Sequence, residues 1–154
     1  MMSILRTAAS SHKFARGLSC CRPPISAFHL QQRAQSTLVV AEPTDGSALS
    51  PATLSAITAA SKLHAGPISL LTFSSGNLGV PSSVSSVIQA NADGNSSLLA
   101  ETITNAVVAA NTKYGYSHIV ASATKFGANY LGRAGAQLGV SPISDVVEIL
   151  SEGK

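Results

Sequence analysis

From Thr37 onward the apolar positions come in two kinds. Short unbroken runs occur at Thr37–Glu42 (TLVVAE), Ile68–Phe73 (ISLLTF) and His118–Ala123 (HIVASA). Runs of this length, rich in β-branched residues and bounded by turn-forming ones, read as strands buried on both faces. Val84, Val87 and Ile88 predict a weaker strand running to Ala90, and Ile143–Leu150, with Val146, Val147 and Ile149, predicts a last one. Between the runs the spacing turns helical. Ser50 and Pro51 form an N-cap and first-turn pair, and Leu54, Ile57 and Thr58 open a stripe that continues through Ser61. That helix should end near His64, with Gly66 and Pro67 as stop signals. Leu98–Tyr114 repeats apolar residues at Leu99, Ile103, Ala106, Val107 and Ala110 and is closed by Gly115. Gly127–Leu138 places Tyr130, Leu131, Ala134 and Leu138 on one face and is closed by Gly139. Pro43–Ser50, Ser74–Ser86 and Asn91–Ser96 carry the Ser, Gly, Pro and Asn of loops and turns. Strands alternating with helices predict an α/β fold class, a mostly parallel sheet flanked by helices.

Charge separates the first residues from this pattern. Residues 1–36 hold Arg6, Lys13, Arg16, Arg22 and Arg33 and no acid, whereas residues 37–154 hold five bases against seven acids. A basic, Ser- and Ala-rich, acid-free start has the composition of a mitochondrial transit peptide, drawn inward by a membrane potential that is negative on the matrix side. Ile4, Leu5 and Ala8 fall at helical spacing, and Pro23 and Pro24 stop any helix there. The uninterrupted apolar core of a secretory signal is missing. Arg33 is the candidate cleavage signal, giving a mature start near Gln35 or Ser36. The expected organisation is a transit peptide over 1–35, disordered or cleaved, an α/β domain over 36–150, and a tail over 151–154. The matrix is the expected compartment.

Candidate chemistry is sparse. Cys20 and Cys21 both lie in the leader, so the domain has neither a disulfide framework nor a thiolate metal site. His64 and His118 are isolated and read as structural rather than as metal ligands. Neither the dinucleotide nor the P-loop glycine pattern occurs, and Ser74–Gly79 lacks their spacing. The Gly-x-Ser-x-Gly elbow of hydrolases is also absent. Asp145 and Glu148 read as a solvated face or a turn, and no catalytic residue is assigned. The domain carries no basic patch for nucleic acid, and no apolar run reaches the length of a membrane-spanning helix. One segment is suggestive. Ser122–Asn129 leaves a strand and enters a helix, where free N–H groups meet ligands in open α/β sheets. Thr124, Phe126, Gly127 and Asn129 are the candidate binding residues. An ordinary strand-to-helix turn explains the same residues.

Three segments carry a resemblance. They are Gln35–Glu42 (QSTLVVAE), Tyr116–Arg133 (YSHIVASATKFGANYLGR) and Val140–Val147 (VSPISDVV). Together, in this order and behind a transit-like leader, they resemble the alpha subunit of electron transfer flavoproteins over roughly residues 35–150. The resemblance implies a nucleotide-hydrolase-like N-terminal α/β domain and a heterodimer with a beta subunit. It implies an electron carrier rather than an enzyme, passing electrons from acyl-CoA dehydrogenases of fatty acid β-oxidation to a membrane-bound ubiquinone oxidoreductase. FAD is the family's cofactor, held mostly by a C-terminal domain that has no counterpart up to Lys154. No flavin-contacting residue is therefore carried over, and the chain, whether truncated, a short isoform or a diverged relative, is expected to bind no FAD tightly by itself. Ala128 stands where the family usually has Lys and Gly132 where it usually has Pro, and the stretch after the second strand is shortened. A colourless structural or regulatory module binding the beta subunit, or a small nucleotide-binding α/β domain, are the alternatives.

Overall fold

The computed structural model describes residues 2–6, 35–43, 48–63, 66–73, 79–90 and 99–149. Six strands and three helices follow in the order β1 (Met2–Arg6), β2 (Thr37–Val40), α1 (Pro51–Leu63), β3 (Ile68–Thr72), β4 (Ser86–Gln89), α2 (Ala100–Tyr114), β5 (His118–Ser122), α3 (Lys125–Leu138) and β6 (Ile143–Val146). They form one sheet in the order β4-β3-β2-β5-β1-β6. β2 pairs in parallel with β3 and β5, and β3 with β4. The expected α/β class with a mostly parallel sheet is what the chain adopts.

Side chains alternate between two cores because successive strand residues point to opposite faces. Leu38, Val40, Leu71, Ile119 and Ala121 pack beneath α2 and α3 with Ile103, Val107, Tyr130, Leu131 and Ala134. Val39, Ile68, Leu70 and Val120 pack beneath α1 with Ala56, Ile57 and Ala60. β2, β3 and β5 are buried on both faces, which is why they appear in the sequence as unbroken apolar runs.

Several elements differ from expectation. The stripe of α1 is rotated: Thr53, Ala56, Ile57 and Ala60 are buried, while Leu54 is half-exposed and Thr58 and Ser61 face solvent. Small residues on the inner face let the helix sit close to the sheet, and the outer hydroxyls return to backbone carbonyls, as Thr58 does to Leu54. In α2, Leu99 is the exposed N-cap rather than a core residue, and Ala100, Thr104, Ile103, Val107 and Ala110 are buried. α3 begins at Lys125, two residues before the predicted Gly127, because Thr124 caps it. β4 and β6 are shorter than predicted and largely exposed, with Val147 beyond the last strand at 82% exposure. Both lie at the sheet edges, where apolar residues need not be covered.

The largest difference is at the start of the chain. The leader is expected to stand outside the fold, yet Met2–Arg6 forms a strand between β5 and β6, antiparallel to both. Leu5 is fully buried among the α2–α3 core, and Met2 and Ile4 are buried with the α1 core. Met2-Ser-Ile-Leu5 is uncharged and extended in the same period of two as any buried strand, a pattern masked by the basic composition of residues 6–33. Arg33 and the cysteines lie outside the described residues.

Candidate functional site

The chain leaves β2 through α1 to β3 on one side, and returns through α2 to β5 on the other. This divergence makes the carboxyl ends of β2 and β5 a topological switch point, the usual ligand crevice of an open α/β sheet. Glu42, just past β2, fills it. Its Oε2 accepts from the Ser50 hydroxyl at 2.8 Å, and its Oε1 accepts from the Ser122 hydroxyl at 2.9 Å and from the Thr124 hydroxyl. Its own backbone N–H donates to Thr53 Oγ1 at 3.2 Å.

The same hydroxyls cap the helices. Ser50 Oγ accepts from the Thr53 N–H at 3.2 Å at the start of α1, and Thr124 Oγ1 accepts from the Gly127 N–H at 3.3 Å at the start of α3. One carboxylate thus binds the caps of both helices and lies by the positive ends of both dipoles. Partial burial pushes the Glu42 carboxyl up, but the Thr124, Ser50 and Ser122 hydroxyls outweigh it, so its pKa lies below the usual glutamate value. Burial, with the charge of Glu42 adding to it, pushes the phenol of the fully buried Tyr130 well above its ordinary range.

Glycine 127 makes this seating possible. A Cβ there would lie 2.0 Å from the Ser122 carbonyl oxygen, so only a residue without one lets α3 start against the end of β5.

The four candidate turn residues therefore part company. Thr124 and Gly127 join in a capping bond, Phe126 turns inward to pack edge-on to Tyr130 at 5.5 Å between ring centroids, and Asn129 is exposed. Glu42, Ser50, Thr53 and Ser122 complete the cluster. The available signal was two helix starts led by hydroxyl residues, with a carboxylate closing the strand before them. A carboxylate that holds three donors and has a lowered pKa is a poor proton acceptor, and among the described residues no imidazole hydrogen-bonds these hydroxyls. The arrangement fastens the starts of two helices to the sheet.

Elsewhere the chemistry is modest. His118 opens β5 with Nδ1 2.9 Å from Ser117 Oγ. Asp145 takes a left-handed φ of 56° in β6 and, with Ser3, Lys125, Leu131 and Pro142, lines a cavity of about 330 Å³ between α3 and the strand edge. Glu148 lies beyond β6 and is exposed. Among the described residues no three His, Cys, Asp or Glu side chains come together to hold a metal, and no helix is long and apolar enough to cross a membrane.

The sequence model of the electron transfer flavoprotein domain matches residues 37–154. This chain belongs to the electron transfer flavoprotein family. It is 37% identical over 96% of its length to the mitochondrial electron transfer flavoprotein subunit alpha of Arabidopsis thaliana, and 38% identical over 91% to that of Oryza sativa. A probable mitochondrial alpha subunit of Caenorhabditis elegans is 36% identical over 77% of the chain. The chain spans 43% of the Arabidopsis protein and 38% of the rice protein. The family match begins at the first residue of β2, so it takes in the whole parallel part of the sheet and leaves β1 outside.

The family's name implies a flavin, and the switch point does not suit one. The diphosphate of a dinucleotide needs free N–H groups and positive potential. Here the Gly127 N–H is taken by Thr124, and the ionised Glu42 already lies between the two helix starts.

Proposed function

We propose that this chain serves as an electron transfer flavoprotein alpha-subunit domain in the mitochondrial matrix, imported by its basic leader and cut near Gln35 or Ser36, just beyond the Arg33 signal. It assembles with a beta subunit and takes part in carrying electrons from acyl-CoA dehydrogenases to the ubiquinone pool. FAD belongs to that complex; the isolated chain retains none tightly. Its part is that of a carrier subunit, not of an enzyme. The observation that carries this reading is the family match across the whole parallel sheet, β2 to β5. A switch point closed by Glu42 favours a supporting role for this domain over nucleotide binding. Exposed Val87, Leu99, Tyr114, Ile143 and Val147 supply apolar surface suited to a partner.

The test is purification with and without the cognate beta subunit. Co-elution and a raised melting temperature are expected, since a partner that binds only the native state stabilises it. The isolated chain should be colourless after gel filtration. Separate elution with an unchanged melting temperature overturns the heterodimer, and stoichiometric flavin on the isolated chain overturns the supporting role. A reporter fused behind residues 1–40 should enter mitochondria and be shortened; a full-length cytosolic reporter overturns the leader reading.

A further inference from the structure

We propose that the Ser117 hydroxyl is a clasp that limits N-terminal processing: it holds the backbone of Ser36, so peptidases shortening the chain toward β2 cannot pass that residue. Leader removal, part of the function proposed above, is the event on which this limit acts.

The clasp joins residues 81 positions apart. The Ser36 N–H donates to Ser117 Oγ at 3.0 Å, and the Ser117 hydroxyl donates to the Ser36 carbonyl at 2.8 Å. One side chain thus holds both backbone groups of one residue, as a neighbouring strand would. The Ser36 carbonyl also accepts from the Ser117 and His118 N–H groups, at 3.0 and 3.2 Å. His118 Nδ1 lies 2.9 Å from the same Ser117 oxygen. A hydroxyl donates once and accepts twice, so a proton on Nδ1 fills its last position and keeps the hydroxyl hydrogen on Ser36.

Exposure changes steeply at this point. Gln35 is exposed, Ser36 is half-buried and Thr37 is fully buried, with its N–H on the Pro67 carbonyl at 3.1 Å. A peptidase takes its substrate as an extended strand and needs the backbone groups on both sides of the bond it cuts, the same groups that a sheet partner uses. Cutting between Ser36 and Thr37 requires the Ser36 carbonyl and the Thr37 N–H to leave their partners together. The fold therefore defines Ser36 as the innermost first residue of a shortened chain.

The experiment uses the chain of residues 1–154 with a sequence-specific protease site inserted after Arg33, so it does not depend on import. After cutting, an aminopeptidase is added and the intact mass is followed with time. Ala34 should be removed, and the product should stop with Gln35 or Ser36 first. Ser117→Ala should lose Ser36 about tenfold faster, because cleavage follows the population of the opened segment and this variant lacks the bonds that keep it closed. Ser117→Thr keeps the hydroxyl and should stop where the parent does. Melting temperatures measured alongside separate a released clasp from a general loss of the fold. Shortening of the parent chain past Ser36, whether by local opening or by loss of the fold on cutting, overturns the proposal. A folded Ser117→Ala chain that stops at the same residue with the same rate also overturns it. If Ser117→Ala fails to fold, passage beyond Ser36 in the Ser117→Thr chain is the overturning result. A full-length cytosolic reporter in the import test, by contrast, overturns the leader reading and not the clasp.

Discussion

The sheet has two unlike halves. In β4-β3-β2-β5 all pairing is parallel, and the helices that link the strands also cover their faces. In the β1-β6 flank the pairing is antiparallel, and β6 is mostly exposed. Burial does not distinguish them, since Leu5 in the flank and Leu38 in the parallel half are both fully buried. The difference lies in how they are tied in. β2 and β3 are joined through α1, and β4 and β5 through α2, helices that also cover the sheet, whereas among the described residues no helix lies between β1 and β2.

The sharpest way to probe the parallel half is Gly127→Ala. The new Cβ would meet backbone at 2.0 Å, which cannot yield as a flexible side chain does, and the expected loss is about 3 kcal/mol or more by urea denaturation. Gly132→Ala in the same helix has open space and should instead gain about 0.5 kcal/mol from helix propensity. Equal effects would mean that α3 does not seat on β5 as described.

Leu5→Ala set against Leu38→Ala, both in the chain of residues 1–154, tests whether the two halves of the sheet are equally part of the fold. Each empties a fully buried site, and each should cost about 3 kcal/mol. A large effect for Leu38 with none for Leu5 would place the N-terminal strand outside the folded structure. In a chain lacking residues 1–34, only the Leu38 effect remains to be measured.

Acid titration reads the fastening of the parallel half. The folded-state pKa of Glu42 lies below its ordinary value of 4.5, so this carboxylate adds stability that is fully present above pH 4.5 and is lost as pH falls through the depressed folded value. Glu42→Gln should lower stability near neutrality and remove that part of the acid dependence. An unchanged acid profile would dissolve the cap-bridging role. At the alkaline end the sign reverses for Tyr130. The folded chain keeps a phenol proton that the unfolded chain loses above about pH 10, so stability declines as pH rises past that point.

The smallest effect belongs to the pair between Arg133 of α3 and Glu101 of α2, whose side chains are 54% and 60% exposed. The Glu101 carboxyl is lowered by its own backbone N–H and then by the Arg133 charge. Solvent screens such pairs, so Arg133→Ala should leave the melting temperature essentially unchanged. A drop comparable to that of Leu38→Ala would show that the α2–α3 contact depends on charge rather than on the apolar core.

The sequence alone determined the strands β2, β3 and β5, because a strand buried on both faces is mostly apolar, with only small hydroxyl residues such as Thr37, Ser69 and Ser122 buried among the aliphatic ones. It determined α2 and the end of α3 through helical spacing and the glycines at 115 and 139, both of which take the left-handed cap conformation. It also singled out Thr124 and Gly127, whose part in the turn follows from local capping chemistry. Tertiary structure decided the rest. Which side of α1 faces inward depended on the close approach of small residues to the sheet, and hydrophobicity pointed to Leu54 instead. Glu42 became the centre of the switch point only when Ser50, Ser122 and Thr124, separated by up to 82 positions along the chain, were brought around it. Met2–Leu5 acquired its place through pairing with β5 and β6 and the packing of Leu5 into the core beneath α2 and α3. Composition describes what a segment can do in isolation; whether a short apolar segment is buried depends on a complementary surface that only the assembled fold provides.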